Sequence, residues 1–341
     1  MREIGSEFHF GNLQNREIFI APAGVDSCLV FSGRTAIETV LKNEPNIRKA
    51  LLPSYCCDSM IEPFRRAGVI VDFYSVTFEE GLKIDLKTIE DVDCILWCNY
   101  FGFRVLMPEL TDFIARGGIV IEDITHSFFS VQQHNKQSRY LVASLRKWEP
   151  ILCGGYVESR EGELRNKPGN MPSVEFQEKK KKAMKLKAEY LAGVSNIEKH
   201  SFLSMFSETN EWLAENYSGL TIDDYSKDYL SHVHISLHRE QRMKNAKALY
   251  EGLIDNPNVR FLFSLDTMDC PLFVPVIIND SKRDAIRKKL IENDIYCPIH
   301  WPHPNAACES NLYEMELSLI CDHRYNEKDM KRIVEVLNSE I

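Results

Sequence analysis

The sequence lacks several features that would fix a function class at once. None of its ten cysteines forms a Cys-x-x-Cys pair, so zinc-ribbon and dithiol redox readings have no support. No Gly-x-Gly-x-x-Gly occurs, which weakens a dinucleotide-binding reading. No apolar run approaches the roughly 20 residues that span a bilayer, and the start, MREIGSEFHFGN, has no apolar core of signal-peptide length. An excess of positive charge is missing too. The formal net charge is -9 at pH 7, whereas a general nucleic-acid binder would present a basic face. Neither internal repeats nor low-complexity segments appear. The expected partners are therefore small molecules, with no nucleic acid and no membrane. Cys94, Cys98, Cys153 and Cys270 stand within apolar strands and read as reduced core residues, so the expected compartment is the cytoplasm.

What is present is an ordinary globular composition. Of 341 residues, 44% are hydrophobic and 27% charged, enough for one large domain and a smaller companion without disulfides. Cys28 to Asn43 reads as a brief strand, a Ser-Gly turn and an amphipathic helix. KALLPSY, a helix over Ser59 to Ala67, and a strand over Val69 to Val76 follow as a βαβ unit, which favours a parallel sheet. DVDCILWCNYFG reads as another buried strand, followed by a helix opened by Pro108 and closed by Gly117. The chemistry-bearing residues concentrate in two later segments, GGIVIEDITHSFFS (117–130) and YLVASLRKWEPILCGGYVES (140–159). Each reads as a strand that ends on charge: Ile119 to Ile121 runs into Glu122 and Asp123, and Leu141 to Ala143 into Ser144 and Lys147. Ligands collect at the carboxyl ends of parallel strands, so Asp123 and Lys147 are candidates to face one ligand.

The chemistry that most needs an acid and an amine in this relation is that of pyridoxal phosphate (PLP), in which a lysine bonds the aldehyde and an acid partners the pyridine nitrogen. A helix N-terminus is a ready phosphate site, and Gly33, Arg34 and Thr35 open the first helix. The residues alone leave plainer alternatives open: a buried Asp that caps a helix, a loop Lys, and a simple cap by Ser32.

The order strand-Asp, strand-Ser-x-x-Lys, then paired glycines (Gly154, Gly155) resembles the fold type I PLP enzymes, most closely the DegT/StrS sugar aminotransferase family, over nearly the whole chain. The resemblance implies an α/β protein of the PLP-transferase type I fold. A mostly parallel, seven-stranded-type sheet flanked by helices would form a large domain over 12–238. A smaller α+β domain would span 239–341, with residues 1–11 packing nearby. The resemblance places Lys147 on the aldehyde, Asp123 on the pyridine nitrogen, and His126 beside the phenolic oxygen. It places Gly33, Arg34, Thr35 and Ser144 on the phosphate. The aromatic residue that stacks on the ring falls on Cys57 here, with Tyr55 two residues earlier. Tyr100, after Asn99 at a strand end, and His300, beside Trp301, are the candidate substrate residues. Ser144 stands three residues before the lysine, where the family usually has its serine five before. No Asn in the stretch from Tyr225 to Leu237 matches the one that reaches the partner subunit's cofactor.

The implied activity is amino transfer from an amino acid such as glutamate to a nucleotide-linked keto-sugar, by a homodimer. The alternatives are a PLP-dependent sugar dehydratase, which usually has His in place of Lys147, and a degenerate binding or regulatory member without turnover. Neighbouring side chains alternate in an extended segment, so Arg146 is expected to face away from Lys147 in an outward, phosphate or structural role. No metal site is expected, because His232 and His234 lack a third ligand. The lysines of EKKKKAMKLKAEYLAG are expected to form a solvated helix face. Towards the end, strands over Cys270 to Ile278 and Asp294 to Trp301 flank a helix capped at Ser281, and Asn326 caps the last helix.

Overall fold

The structure, a computed structural model, describes residues 3–10, 24–86, 89–130, 135–278, 282–304 and 308–339. After a two-residue strand, β1 (Ile4–Gly5), the chain builds an eight-stranded sheet from β2 (Asp26–Val30), β3 (Lys49–Pro53), β4 (Ile70–Phe78), β5 (Leu82–Asp85), β6 (Cys94–Cys98), β7 (Ile119–Asp123), β8 (Tyr140–Ser144) and β9 (Gly155–Ser159). Their spatial order is β2-β9-β8-β7-β6-β3-β4-β5. Strand β9 runs antiparallel to β2 and β8, and β5 antiparallel to β4; the pairs among β8, β7, β6, β3 and β4 are all parallel. The sheet thus carries one strand more than expected, because Glu79 to Gly81 turn β5 back along the edge of β4. Every residue of β6 and β7 is buried, which is why CILWC and IVIED read as continuous rather than alternating patterns.

Helices α1 (Gly33–Asn43) and α2 (Asp58–Arg66) pack against each other beside the sheet. Ser32 caps α1 by accepting the Thr35 N–H at 3.3 Å. The helix expected from Pro108 shortens to α3 (Thr111–Ala115), which ends before Gly117 at φ 93°, a left-handed position that glycine takes at no steric cost. Then come α4 (Val174–Leu191) and α5 (Lys199–Glu215), packed side by side. The solvated lysine face expected on α4 holds for Lys182 and Lys185, which are exposed, and is corrected for two other lysines. Lys180 and Lys187, two turns apart on one side, are 3% and 1% exposed. Lys180 reaches Asn210 Oδ1 at 3.3 Å, and Lys187 donates to the Glu7 carbonyl. Burial pushes both amines down to about 8.

Helices α6 (Asp224–Leu230) and α7 (Ile235–Leu253) lead to a three-stranded antiparallel sheet of β10 (Val259–Phe261), β11 (Phe273–Ile278) and a later strand, Glu316–Ile320. The expected division at 238/239 lies inside α7, near its start. Between these strands stand α8 (Arg283–Glu292), β12 (Ile295–Tyr296) and α9 (Leu312–Met315). The Ser281 cap lies outside the described residues. The expected strand from Asp294 to Trp301 contracts to β12, which pairs in parallel with β1; Pro298 follows and has no N–H for a ladder. The Glu316–Ile320 strand is β13, and α10 (Glu327–Ser339) closes the chain. Its cap is reciprocal: Asn326 Oδ1 accepts the Lys328 N–H at 2.9 Å while Asp329 Oδ2 accepts the Asn326 N–H at 3.1 Å. A buried cluster runs without a break from β2 through the main sheet to β11, β13 and α10.

Gly155 lets β9 approach the start of α1, since a Cβ there would overlap the Ser32 carbonyl. Gly155→Ala is expected to destabilise the protein by about 1–3 kcal/mol, read as a lowered urea midpoint. An unchanged midpoint would show that the turn into α1 yields freely.

Candidate active site

A cleft opens at the carboxyl ends of β6, β7 and β8, the edge where a sheet of this kind binds ligands. Asp123 is the last residue of β7 and lies level with Cys98 on β6 and Val142 on β8. Lys147 closes a 3-10 turn, Leu145–Lys147, directly after β8. Two hydrogen bonds tie this turn to the chain beyond Asp123. The Ser144 N–H donates to Thr125 Oγ1 at 3.0 Å, and the Trp148 indole N–H donates to the Thr125 carbonyl at 2.6 Å.

Within this frame Lys147 Nζ lies 3.1 Å from His126 Nε2. The Phe101 N–H donates to His126 Nδ1 at 3.2 Å, so Nδ1 carries a lone pair and the single ring proton of the neutral imidazole sits on Nε2. An ammonium opposite that N–H would set two donors against each other. The contact is therefore an imidazole N–H donating to a neutral amine. The electrostatics agree. Burial, then the Arg146 charge, lowers the Lys147 pKa against the pull of Cys57 and Asp123. Burial, then Lys147 and His300, holds His126 well below the usual imidazole range. Asp123 is pushed up by burial and held down by Thr125 and Lys147. Its Oδ1 accepts the Thr125 N–H at 2.8 Å.

At the other end of the cleft stand Ser32, Gly33, Arg34 and Ser144. Gly33 and Ser144 are close neighbours: a Cβ on the glycine would lie 3.2 Å from the serine Cβ. With the Thr35 N–H taken by Ser32, the amides of Gly33 and Arg34 have no acceptor among the described residues, and this open first turn suits a phosphate. The donor set therefore fits PLP: an acid for the ring nitrogen, an imidazole N–H, a neutral amine for the aldehyde, and free amides with a serine for the phosphate.

Several expected site residues stand elsewhere. Tyr55 and Tyr100 are fully buried; the Tyr100 hydroxyl donates to the Tyr55 carbonyl at 2.6 Å, and the two rings stack at 5.8 Å. Neither lines the cleft. His300 lies behind it, with its N–H on Glu316 Oε2 at 2.7 Å and Nδ1 2.7 Å from Ser318 Oγ. Asn99 turns away to Glu122 Oε1 at 2.7 Å. The Thr35 hydroxyl donates to the Tyr217 carbonyl at 3.0 Å and so is spent inside the fold. Arg34 lines the cleft, but its Nε donates to Glu62 Oε2 at 3.0 Å. Cys57 does line the cleft, at the start of α2.

The residue that sequence reasoning undervalued is Trp301. It lines the cleft, stacks on His126 at 5.5 Å and lies 5.7 Å from Lys147 Nζ. Its place beside His300 in a matched stretch was the available signal. Arg146 also lines the cleft, because neighbours in a 3-10 turn diverge by about 120° rather than alternating.

Among the described residues, one group outside the cleft has metal-ligand chemistry. Glu149, His238 and His323 bring their donor atoms within 4.8 Å of one another. The two imidazoles lie face to face at 3.7 Å and 4°, so a single ion could not lie in both ring planes.

The folded-state pKa of Lys147 lies below its ordinary value of 10.5. Between those two values the unfolded chain binds a proton that the folded chain does not, and stability rises with pH. Lys147→Met removes this contribution. The variant's stability relative to wild type is expected to be highest near neutral pH and to fall as pH approaches about 10, measured as the difference in urea midpoints. A difference independent of pH would contradict the neutral amine.

No protein-family model matches the chain and no curated protein matches it. Solved structures do. The sugar aminotransferase CalS13 from Micromonospora echinospora aligns over 92% of this chain and 87% of its own, with TM-score 0.62 and 13% identity. A DegT DnrJ EryC1 StrS aminotransferase from Brucella abortus aligns over 92% and 85%, with TM-score 0.59 and 14% identity. The E. coli GDP-4-keto-6-deoxy-D-mannose-3-dehydratase with bound hydrated PLP aligns over 92% and 88%, with TM-score 0.58 and 14% identity. At these identities the likeness is one of fold, and the chain has the type I fold of the PLP-dependent DegT/StrS sugar aminotransferases.

Proposed function

We propose that this chain is a PLP-dependent aminotransferase of the DegT/StrS type, moving an amino group from an amino acid such as glutamate to a nucleotide-linked keto-sugar. The carrying observation is the Lys147 amine, 3.1 Å from His126 Nε2 in one cleft with Asp123. Bound PLP supplies the electron sink for the carbon that loses its proton. Asp123 holds the proton on the ring nitrogen, with its carboxylate fixed by Thr125. His126 Nε2–H orients the phenolic oxygen. Lys147 Nζ would take up the proton that leaves the substrate carbon and give it back, as base and then acid. Ser144 and the amides of Gly33 and Arg34 bind the phosphate.

The dehydratase reading is disfavoured by the lysine at 147. A degenerate, non-catalytic reading draws support from Cys57 in the place of the stacking aromatic, but Trp301 adds an aromatic wall to the same cleft. The large unit over 12–238, the small one over 239–341, a homodimer and a cytoplasmic address belong to the same proposal. Among the described residues, no helix is long and apolar enough to cross a membrane.

Purified protein is expected to show the visible absorption of bound PLP, and glutamate should convert it to that of the pyridoxamine form. Lys147→Ala should lose turnover by on the order of 10²–10⁴-fold or more and leave no borohydride-reducible adduct. A colourless protein that takes up no PLP, or a variant that turns over at the wild-type rate, would overturn the assignment.

A further inference from the structure

We infer that Arg146 supplies the charge that holds the phosphate group of the cofactor, beside the neutral donors Ser144 and the amides of Gly33 and Arg34. The inference rests on the PLP reading above and assigns a role to a residue beside the lysine itself. Three observations carry it. First, the other guanidinium at this end of the cleft is already held by a carboxylate, since Arg34 forms an ion pair at 3.0 Å with Glu62, which it shares with Arg66. Second, Ser144, beside Gly33, can offer the phosphate a hydroxyl but no charge. Third, Arg146 lines the cleft with its Nε buried and without a hydrogen-bond partner. A buried unpaired donor is costly, and one in a native structure asks for an acceptor.

The surroundings define the charge of that acceptor. Arg146 Nη1 makes only a long contact, 3.4 Å, to Asn210 Oδ1, an oxygen that also serves Lys180 at 3.3 Å. Asn210 Nδ2 in turn donates to Glu7 Oε1 at 2.9 Å, and Lys180 lies 3.8 Å from Glu7 Oε2. The single Glu7 carboxylate thus faces two cationic side chains, leaving a positive surplus on the cleft side. A phosphate dianion on the free amides of Gly33 and Arg34 would balance it, and a guanidinium offers several N–H donors to such a group.

The test compares PLP with pyridoxal, which has the same aldehyde and no phosphate. Arg146 also lowers the Lys147 pKa, and that effect acts on both aldehydes alike, so the ratio of the two affinities isolates the phosphate contact. Both ligands are titrated into wild type, Arg146→Gln and Arg146→Lys, followed by quenching of tryptophan fluorescence and by adduct absorption. Arg146→Gln is expected to weaken PLP by roughly 10- to 100-fold and to leave pyridoxal nearly unchanged; Arg146→Lys should fall between. Inorganic phosphate should compete with PLP for wild type and not for Arg146→Gln. If wild type prefers PLP and Arg146→Gln keeps that preference within twofold, the role of Arg146 is overturned while the cofactor assignment stands. If wild type binds neither aldehyde, the cofactor reading fails and this inference with it.

Discussion

Two bases facing each other at 3.1 Å set the terms for the whole site. With the His126 proton on Nε2, Lys147 can hold that distance only if the amine keeps its lone pair. The condition is met by the backbone rather than by a side chain. Phe101 adopts a left-handed conformation at φ 59° and Gly102 follows at 83°, and this turn aims the Phe101 N–H at His126 Nδ1. A side chain at Gly102 would overlap the Cys270 carbonyl, so the turn is also pressed against the segment that leads into β11. A non-glycine residue at positive φ costs free energy. Here it fixes the tautomer on which the amine's nucleophilic form depends.

Burial supplies the rest. Sheet strands covered on both faces remove water from the Asp123, His126 and Lys147 groups together, and desolvation acts in opposite senses on acids and bases. It pushes the carboxyl up and the two bases down, so the apoprotein favours groups of low charge. A ligand that brings a ring N–H, an aldehyde and a dianion meets each of them with a complementary partner. The cleft is preorganised by short links, Thr125 to Asp123, Ser144 and Trp148, that hold the ends of two strands in one geometry.

Much of this was legible in the sequence. The buried runs CILWC and IVIED named their own strands, and Asp123, Ser144 and Lys147 fell at strand ends because the apolar pattern stops there. Ser32 announced the cap of α1. What was not legible depended on contacts between distant segments. Tyr55 and Tyr100 stand beside matched cofactor and substrate positions in a linear reading, yet they pack on each other and on Trp301 and Tyr313. Arg34 looked free until Glu62, a turn and a half into α2, was placed beside it. Lys180 and Lys187 sit in a strongly basic run whose local pattern favours solvent; only the packing of α4 on α5 and the reach of Glu7 bring them inside. Arg146 was misdirected because an extended segment was assumed where a 3-10 turn forms.

The pairing of β1 with β12 joins residue 4 to residue 295, and Glu7 follows directly. On a growing chain, residue 4 waits for residue 295 before it finds its strand partner. Contacts of such long sequence separation form late. The carboxylate that faces Lys180 and Arg146 is thus fixed in place only after residue 295 has been made. A nascent chain halted in α8 would carry a nearly complete main sheet whose basic wall still lacked its internal counterion.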